Sequence, residues 1–119
     1  TLRVAHLIVL GHSSCGGVRA SLEHDAARQT TAQFISNWMS MLDAARDHVV
    51  KCCAGKSQPE IRAALEREGI KTSLANLRTF PCIQILEGKG RIQLHGAYFD
   101  ISSGTLEALN PATGDFVAV

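Results

Sequence analysis

The sequence predicts an α/β fold, and three stretches carry that expectation. Val4 to Leu10 reads Val-Ala-His-Leu-Ile-Val-Leu, a short, β-branched apolar run broken only by His6. It suits a strand buried on both faces of a parallel sheet. Gly11 ends it, and Gly11-His12-Ser13-Ser14-Cys15-Gly16-Gly17 follows as a loop beyond the carboxyl end of the strand, where α/β proteins place ligands. Further on, Phe34, Trp38, Leu42, Ala45 and Val49 recur at spacings of four, four, three and four, one apolar stripe on a helix of about five turns.

The remaining elements follow in order. Val18 to Leu22 is long enough for one or two helical turns, and Thr30 or Thr31 can cap the helix that carries the stripe. Lys51 to Gln58 is a polar break containing Gly55. Pro59 opens the next helix, proline being tolerated in a first turn. Ile61, Ala64 and Leu65 form its buried face, and Leu74 and Leu77 carry the pattern toward Pro81. Gly69 weakens that helix by about 1 kcal/mol relative to alanine. Cys82 to Leu86 is open between two readings: its length and apolar content fit a strand, and the preceding Pro81 fits a helix start. Ile92, Leu94 and Tyr98 belong to a strand. Gly104 marks a turn, after which Thr105 to Leu109 returns as its partner.

At 119 residues the chain is sized for one domain with a single core. A formal net charge of +1, with no basic cluster, gives no electrostatic basis for binding nucleic acid or an anionic membrane. No apolar run approaches the roughly 20 residues of a membrane-spanning helix, and no signal-peptide pattern opens the chain. Four cysteines, two of them the adjacent Cys52 and Cys53, read as reduced thiols in a cytoplasmic compartment rather than as a disulfide framework.

The chemistry concentrates in the first loop. His12 and Cys15 are separated by two residues, and imidazole nitrogen and thiolate sulfur both bind zinc, at about 2.0 and 2.3 Å. The flanking glycines allow the backbone conformations that a tight turn requires. A lone His-x-x-Cys pair is more often chance than a metal site, but the surrounding segments change that balance. Leu-Ile-Val-Leu-Gly-His-Ser-Ser-Cys-Gly-Gly, residues 7 to 17, resembles the second zinc motif of the β-class carbonic anhydrases. Phe34-Ile35-Ser36-Asn37-Trp38 resembles the helix that follows that motif. Ser73-Leu74-Ala75-Asn76-Leu77-Arg78-Thr79-Phe80-Pro81 resembles the family signature Ser-Leu-x-Asn-Leu-x-Thr-aromatic-Pro. Leu94-His95-Gly96-Ala97-Tyr98-Phe99-Asp100-Ile101, with Gly104 and Leu106, resembles its closing strand and hairpin.

That resemblance implies a mainly parallel sheet flanked by helices, with a C-terminal antiparallel hairpin, and a homodimer or a tetramer of dimers. It implies a zinc lyase that hydrates carbon dioxide to bicarbonate, zinc bringing the pKa of water to about 7. His12 and Cys15 fall on two of the family's zinc ligands, and the Gly16 amide on a position facing substrate oxygen. The family's other cysteine, and the aspartate and arginine that serve catalysis, come from an upstream Cys-x-Asp-Ser-Arg motif. No aspartate follows two residues after any cysteine here. The chain therefore reads as a partial β-carbonic anhydrase domain over residues 1–119, with the motif-bearing strand expected before residue 1 and beside Val4 to Leu10. Two ligands rarely hold zinc against water, so this stretch by itself is expected to be inactive and incompletely stable. The alternatives are a non-catalytic remnant that binds a partner, or a thiol enzyme using Cys15 at a helix start.

Plainer roles are expected elsewhere. His6 reads as a satisfied core histidine and His95 as structural. His24 and His48 read as solvated, Cys52 and Cys53 as surface or semi-buried thiols, and Cys82 as a small core residue. Trp38 reads as core or subunit interface, and Arg62, Glu66 and Arg67 as a solvated helix face.

Overall fold

The computed structural model describes residues 3–23 and 39–119. The expected caps at Thr30 or Thr31, the Phe34 and Trp38 part of the apolar stripe, and His24 lie outside the described residues. The chain forms two compact units, one of Ser14–Gly69 and one joining Ile70–Val119 to the segment ending at Ser13.

The second of these carries a four-stranded sheet in the order β1-β2-β3-β4: β1 (His6–His12), β2 (Gln93–Asp100), β3 (Thr105–Leu109) and β4 (Phe116–Ala118). β1 runs parallel to β2, with His6 opposite Gln93 and His12 opposite Phe99. β2 and β3 are antiparallel, as are β3 and β4. The sheet is thus mixed, its parallel pair followed by the C-terminal hairpin that Gly104 announces. Gly104 sits at φ +71°, a left-handed conformation that glycine adopts without steric cost. β4 has no counterpart among the expected elements, because Phe-Val-Ala is too short to show a period.

One face of this sheet packs on helix. Val9, Leu94, Leu109 and Phe116 surround buried Ile70, Leu74 and Tyr98. The opposite face of β1 is open: Ile8 and Leu10 are 62% and 61% exposed, and His6 and His12 are exposed with them. This corrects the expectation of burial on both faces, and with it the expectation that His6 is a core histidine. Among the described residues β1 is also an edge strand, paired with β2 alone.

Gly96 marks how tightly the covered face is filled. A Cβ there would lie 2.9 Å from Ile70 Cγ2 and 3.2 Å from Leu109 Cβ. Gly96→Ala is therefore expected to lower stability by about 1–3 kcal/mol, the range for overpacking a filled core. A reduced urea midpoint at unchanged m-value would show it.

The Ser14–Gly69 unit contains α1 (Gly16–Leu22), a 3-10 turn at Ser40–Leu42, and α2 (Asp43–Cys52). Ala45 and Val49 are buried as the stripe predicts, but the described part is not one continuous α-helix. The 3-10 turn at Ser40–Leu42 leads directly into α2, with Leu42 as its N-cap. The core here is Val18, Ala45, Val49, Cys53 and Leu65, with Leu42, Ile61 and Ala64 packed against it.

α3 (Gln58–Leu77) begins where Pro59 places it. A capping box also starts it: the Ser57 amide donates to Glu60 Oε2 at 3.0 Å, and the Glu60 amide donates to Ser57 Oγ at 3.4 Å. Leu65 in its first part and Ile70 and Leu74 in its second serve different core clusters. α4 (Pro81–Gly88) resolves the ambiguity at Cys82 to Leu86 in favour of helix, with Pro81 in its first turn and Phe80 as N-cap. Cys82 on α4 is exposed, not a core residue, because α4 buries none of its residues.

Candidate metal-binding loop

His12 is the last residue of β1, and Cys15 is the N-cap of α1 with φ −71° and ψ 119°. His12 belongs to the sheet-bearing unit and Cys15 to the helical one, and each is fixed by partners within its own unit.

His12 Nδ1 lies 2.8 Å from the Ser13 carbonyl oxygen. A carbonyl can only accept, so Nδ1 carries the proton of that bond and Nε2 of the neutral ring keeps its lone pair. This is the arrangement in which a histidine offers Nε2 to a metal while its other nitrogen is held.

The residue after His12 is tied to the β2–β3 turn. The Ser13 amide donates to the Phe99 carbonyl at 2.9 Å. Ser13 Oγ accepts from the Ile101 amide at 2.8 Å and donates to Asp100 Oδ1 at 3.1 Å. The same Asp100 oxygen accepts from the Ser102 amide at 2.9 Å and Ser102 Oγ at 2.7 Å. These bonds favour the charged carboxylate. The Ser102 hydroxyl, followed by the Ser102 amide and the Ser103 and Ser13 hydroxyls, lowers the Asp100 pKa from 3.8 to about 2.

A depressed acid pKa contributes stability that is fully present above the unfolded value. That contribution fades as pH falls from about 4 through about 2. Asp100→Asn is expected to remove this part of the acid transition and loosen the Ser13 tether. Circular dichroism across roughly pH 2–5 on both proteins checks it, and identical acid profiles would count against the clamp.

Cys15 is partly buried beside the Val18, Ala45, Val49 and Leu65 core. Its amide donates to Glu66 Oε2 at 2.9 Å, and its carbonyl accepts from the Arg19 amide at 3.0 Å. Glu66 is only 6% exposed, which corrects its placement on a solvated face: its carboxylate faces inward because it bonds the start of α1. Neither Gly11, Gly16 nor Gly17 has a positive φ. The left-handed residue of the loop is Ser14, at φ +56°. Gly16 is the exposed first residue of α1, and a methyl group added to its Cα would meet nothing within 4 Å.

Ser13, Asp100 and Glu66 are site residues that the sequence reading misses. Asp100-x-Ser102 is a local turn signal that points to Asp100. Nothing local reveals Glu66, which is 51 residues from Cys15. The described residues contain no group of three or more His, Cys, Asp or Glu side chains able to hold a metal. No helix among them is long and apolar enough to cross a membrane.

A strand that delivers a histidine into a loop capped by a cysteine at a helix start is an α/β arrangement suited to metal chemistry. The carbonic anhydrase family matches residues 1–106, and the chain belongs to that family. Within it the chain is β-class-like. It is 38% identical over 117 residues to carbonic anhydrase 1 of Escherichia coli O157:H7, covering 98% of this chain and 52% of that protein. It is 35% identical over 118 residues to a carbonic anhydrase of Pseudomonas aeruginosa, covering 99% of this chain and 52% of that protein. The solved structure of the β-carbonic anhydrase CcaA superposes with a TM-score of 0.92 at 28% identity, over 99% of this chain and 57% of the other. The chain thus spans about half the length of the curated relatives it matches.

Proposed function

We propose that this chain supplies His12 and Cys15 to the zinc centre of an enzyme that reversibly hydrates carbon dioxide to bicarbonate. The observation that carries the reading is the His12 ring, held through Nδ1 with Nε2 left to coordinate, inside the segment that resembles the family's second zinc motif. The donor types fit zinc: one imidazole nitrogen and one thiolate sulfur. Zinc, when bound, supplies the Lewis acidity that brings the pKa of water to about 7. The chain's own residues do the rest of what is assigned to them. Ser13 and Asp100 hold the His12 end of the loop, Glu66 holds the Cys15 amide, and the Gly16 amide orients a substrate oxygen.

Two protein ligands fall short of the three that catalytic zinc ordinarily takes. Residues 1–119 by themselves are therefore proposed to be inactive, the remaining cysteine and the aspartate–arginine pair coming from elsewhere in the polypeptide. The open apolar face of β1 supports further protein covering it, which agrees with a homodimer or a tetramer of dimers.

The test is alkylation of the chain with and without zinc, read by peptide mass. Zinc is expected to slow labelling of Cys15, and a chelator to restore it, while exposed Cys52 and Cys82 serve as internal references. The same sample should hold little zinc after desalting and hydrate carbon dioxide no faster than buffer. Labelling of Cys15 that ignores zinc would remove it as a ligand. One tightly held zinc per chain with ordinary activity would overturn the proposed need for further ligands.

A further inference from the structure

On the side of the sheet that α3 covers, the strand ladder leaves a gap. β2 pairs with β1 from Gln93 to Phe99 but with β3 only from Ala97 onward. After Leu109 the chain turns away. The Gly114 amide donates to the Asn110 carbonyl, and the Asn110 amide to the Asp115 carbonyl, both at 2.8 Å. Pro111, within that turn, has no N–H with which to continue the ladder. A half-open cavity of about 210 Å3 results beside the first half of β2. Leu74, Leu94 and Leu109 give it an apolar floor, and all three belong to the cluster around Ile70 and Tyr98. Lys71 and Arg78 line it as well, and among the described residues no acidic one does. Lys71, Leu74 and Arg78 are spaced by three and four. The Arg78 amide still donates to the Leu74 carbonyl at 3.2 Å, so the three share one helical face.

The two cations are placed differently. Arg78 is turned to Glu87, its Nε 3.2 Å from both carboxylate oxygens and its Nη2 3.1 Å from Oε1. Lys71 reaches toward the turn: its Nζ lies 3.8 Å from where a Cβ on Gly114 would stand. His95 also borders the cavity, with its Nε2 3.0 Å from His6 Nδ1. We propose that this cavity binds a small organic monocarboxylate, its carboxylate on Lys71 and its hydrocarbon body on Leu74, Leu94 and Leu109. The lining selects for both parts. A cation-bearing wall without acids favours an anion, and a leucine floor favours a ligand that covers it with hydrocarbon over an inorganic ion. The volume lies below the roughly 300–1,000 Å3 of drug-sized sites, which restricts the ligand to a small one. The cavity shares no residue with the His12–Cys15 loop and lies across the sheet from the open face of β1, so it does not depend on the reading of either.

The probe is benzoate, titrated into the 15N-labelled chain with a chelator present, so that no metal at the His12–Cys15 loop can hold the carboxylate. Binding is expected in the range of about 1–10 mM, with the amide signals of Leu94, Gly96 and Gly114 shifting first. Two comparisons on the unaltered chain separate the contributions. Benzamide keeps the ring without the charge, and acetate keeps the charge without the ring. Each is expected to bind at least about fivefold more weakly than benzoate. Lys71→Gln should weaken benzoate by at least about fivefold. Lys89→Gln, which removes a cation that does not line the cavity, should leave it unchanged. Circular dichroism confirms that both variants fold. The site is overturned if benzoate produces no shifts at about 50 mM, or if the shifts begin at amides away from the cavity. Benzamide or acetate binding as tightly as benzoate overturns the proposed ligand class, and binding undiminished in a folded Lys71→Gln variant overturns the role of Lys71.

Discussion

Leu65→Ala is expected to cost about 2–5 kcal/mol of folding stability, the range for truncating a buried leucine. Leu65 is 0% exposed and sits among Val18, Ala45, Val49 and Cys53, side chains drawn from α1, α2 and the residue that ends α2. Truncation removes the transfer free energy of the lost methyl groups and leaves a cavity lined by separate segments. Relaxation is therefore partial, which places the effect in the upper half of the range. Total stability of a small domain is itself only about 5–15 kcal/mol, so the variant should approach the unfolding threshold. Urea unfolding followed by circular dichroism measures it. A loss under about 1 kcal/mol would mean that the helical unit collapses around the hole, and that its core is less closely packed than the structure shows.

The second large effect concerns activity. In a polypeptide that completes the proposed zinc site, Cys15→Ser and His12→Ala are each expected to lower carbon dioxide hydration by more than about 100-fold. Loss of an outer partner of a metal ligand already costs about 10–100-fold in affinity or rate, and loss of a ligand exceeds that. Serine keeps the size of Cys15 and its amide bond to Glu66 but offers no thiolate. Alanine at position 12 leaves the Ser13–Asp100 clamp intact while removing the donor nitrogen. Zinc content should fall with the rate in both variants. Stopped-flow hydration together with metal analysis checks it. A variant that keeps full zinc and a rate within a few-fold of the parent would exclude that residue from the metal site.

Much of this is legible in the residues themselves. The β-branched run of β1, the proline and glycine punctuation around α3 and the closing hairpin, and the His12–Cys15 spacing are all local signals. They act over a few residues, where backbone sterics and side-chain period decide. The segment Cys82 to Leu86 stays ambiguous in sequence because five largely apolar residues suit either period. The capping box at Ser57 and Glu60 and the turn at Asp100 are also written in the sequence as patterns, although neither stands out there.

Residue identity and order are enough to specify the family and to place an imidazole at position 12 and a thiol at position 15. Partners far along the chain emerge only on folding. Glu66 reaches the Cys15 amide across 51 residues, and Asp100 reaches Ser13 across 87. His6 meets His95 across 89 residues because parallel pairing of β1 with β2 fixes their register. Such contacts are set by strand register and helix packing, free-energy choices of the whole chain that no local stretch encodes.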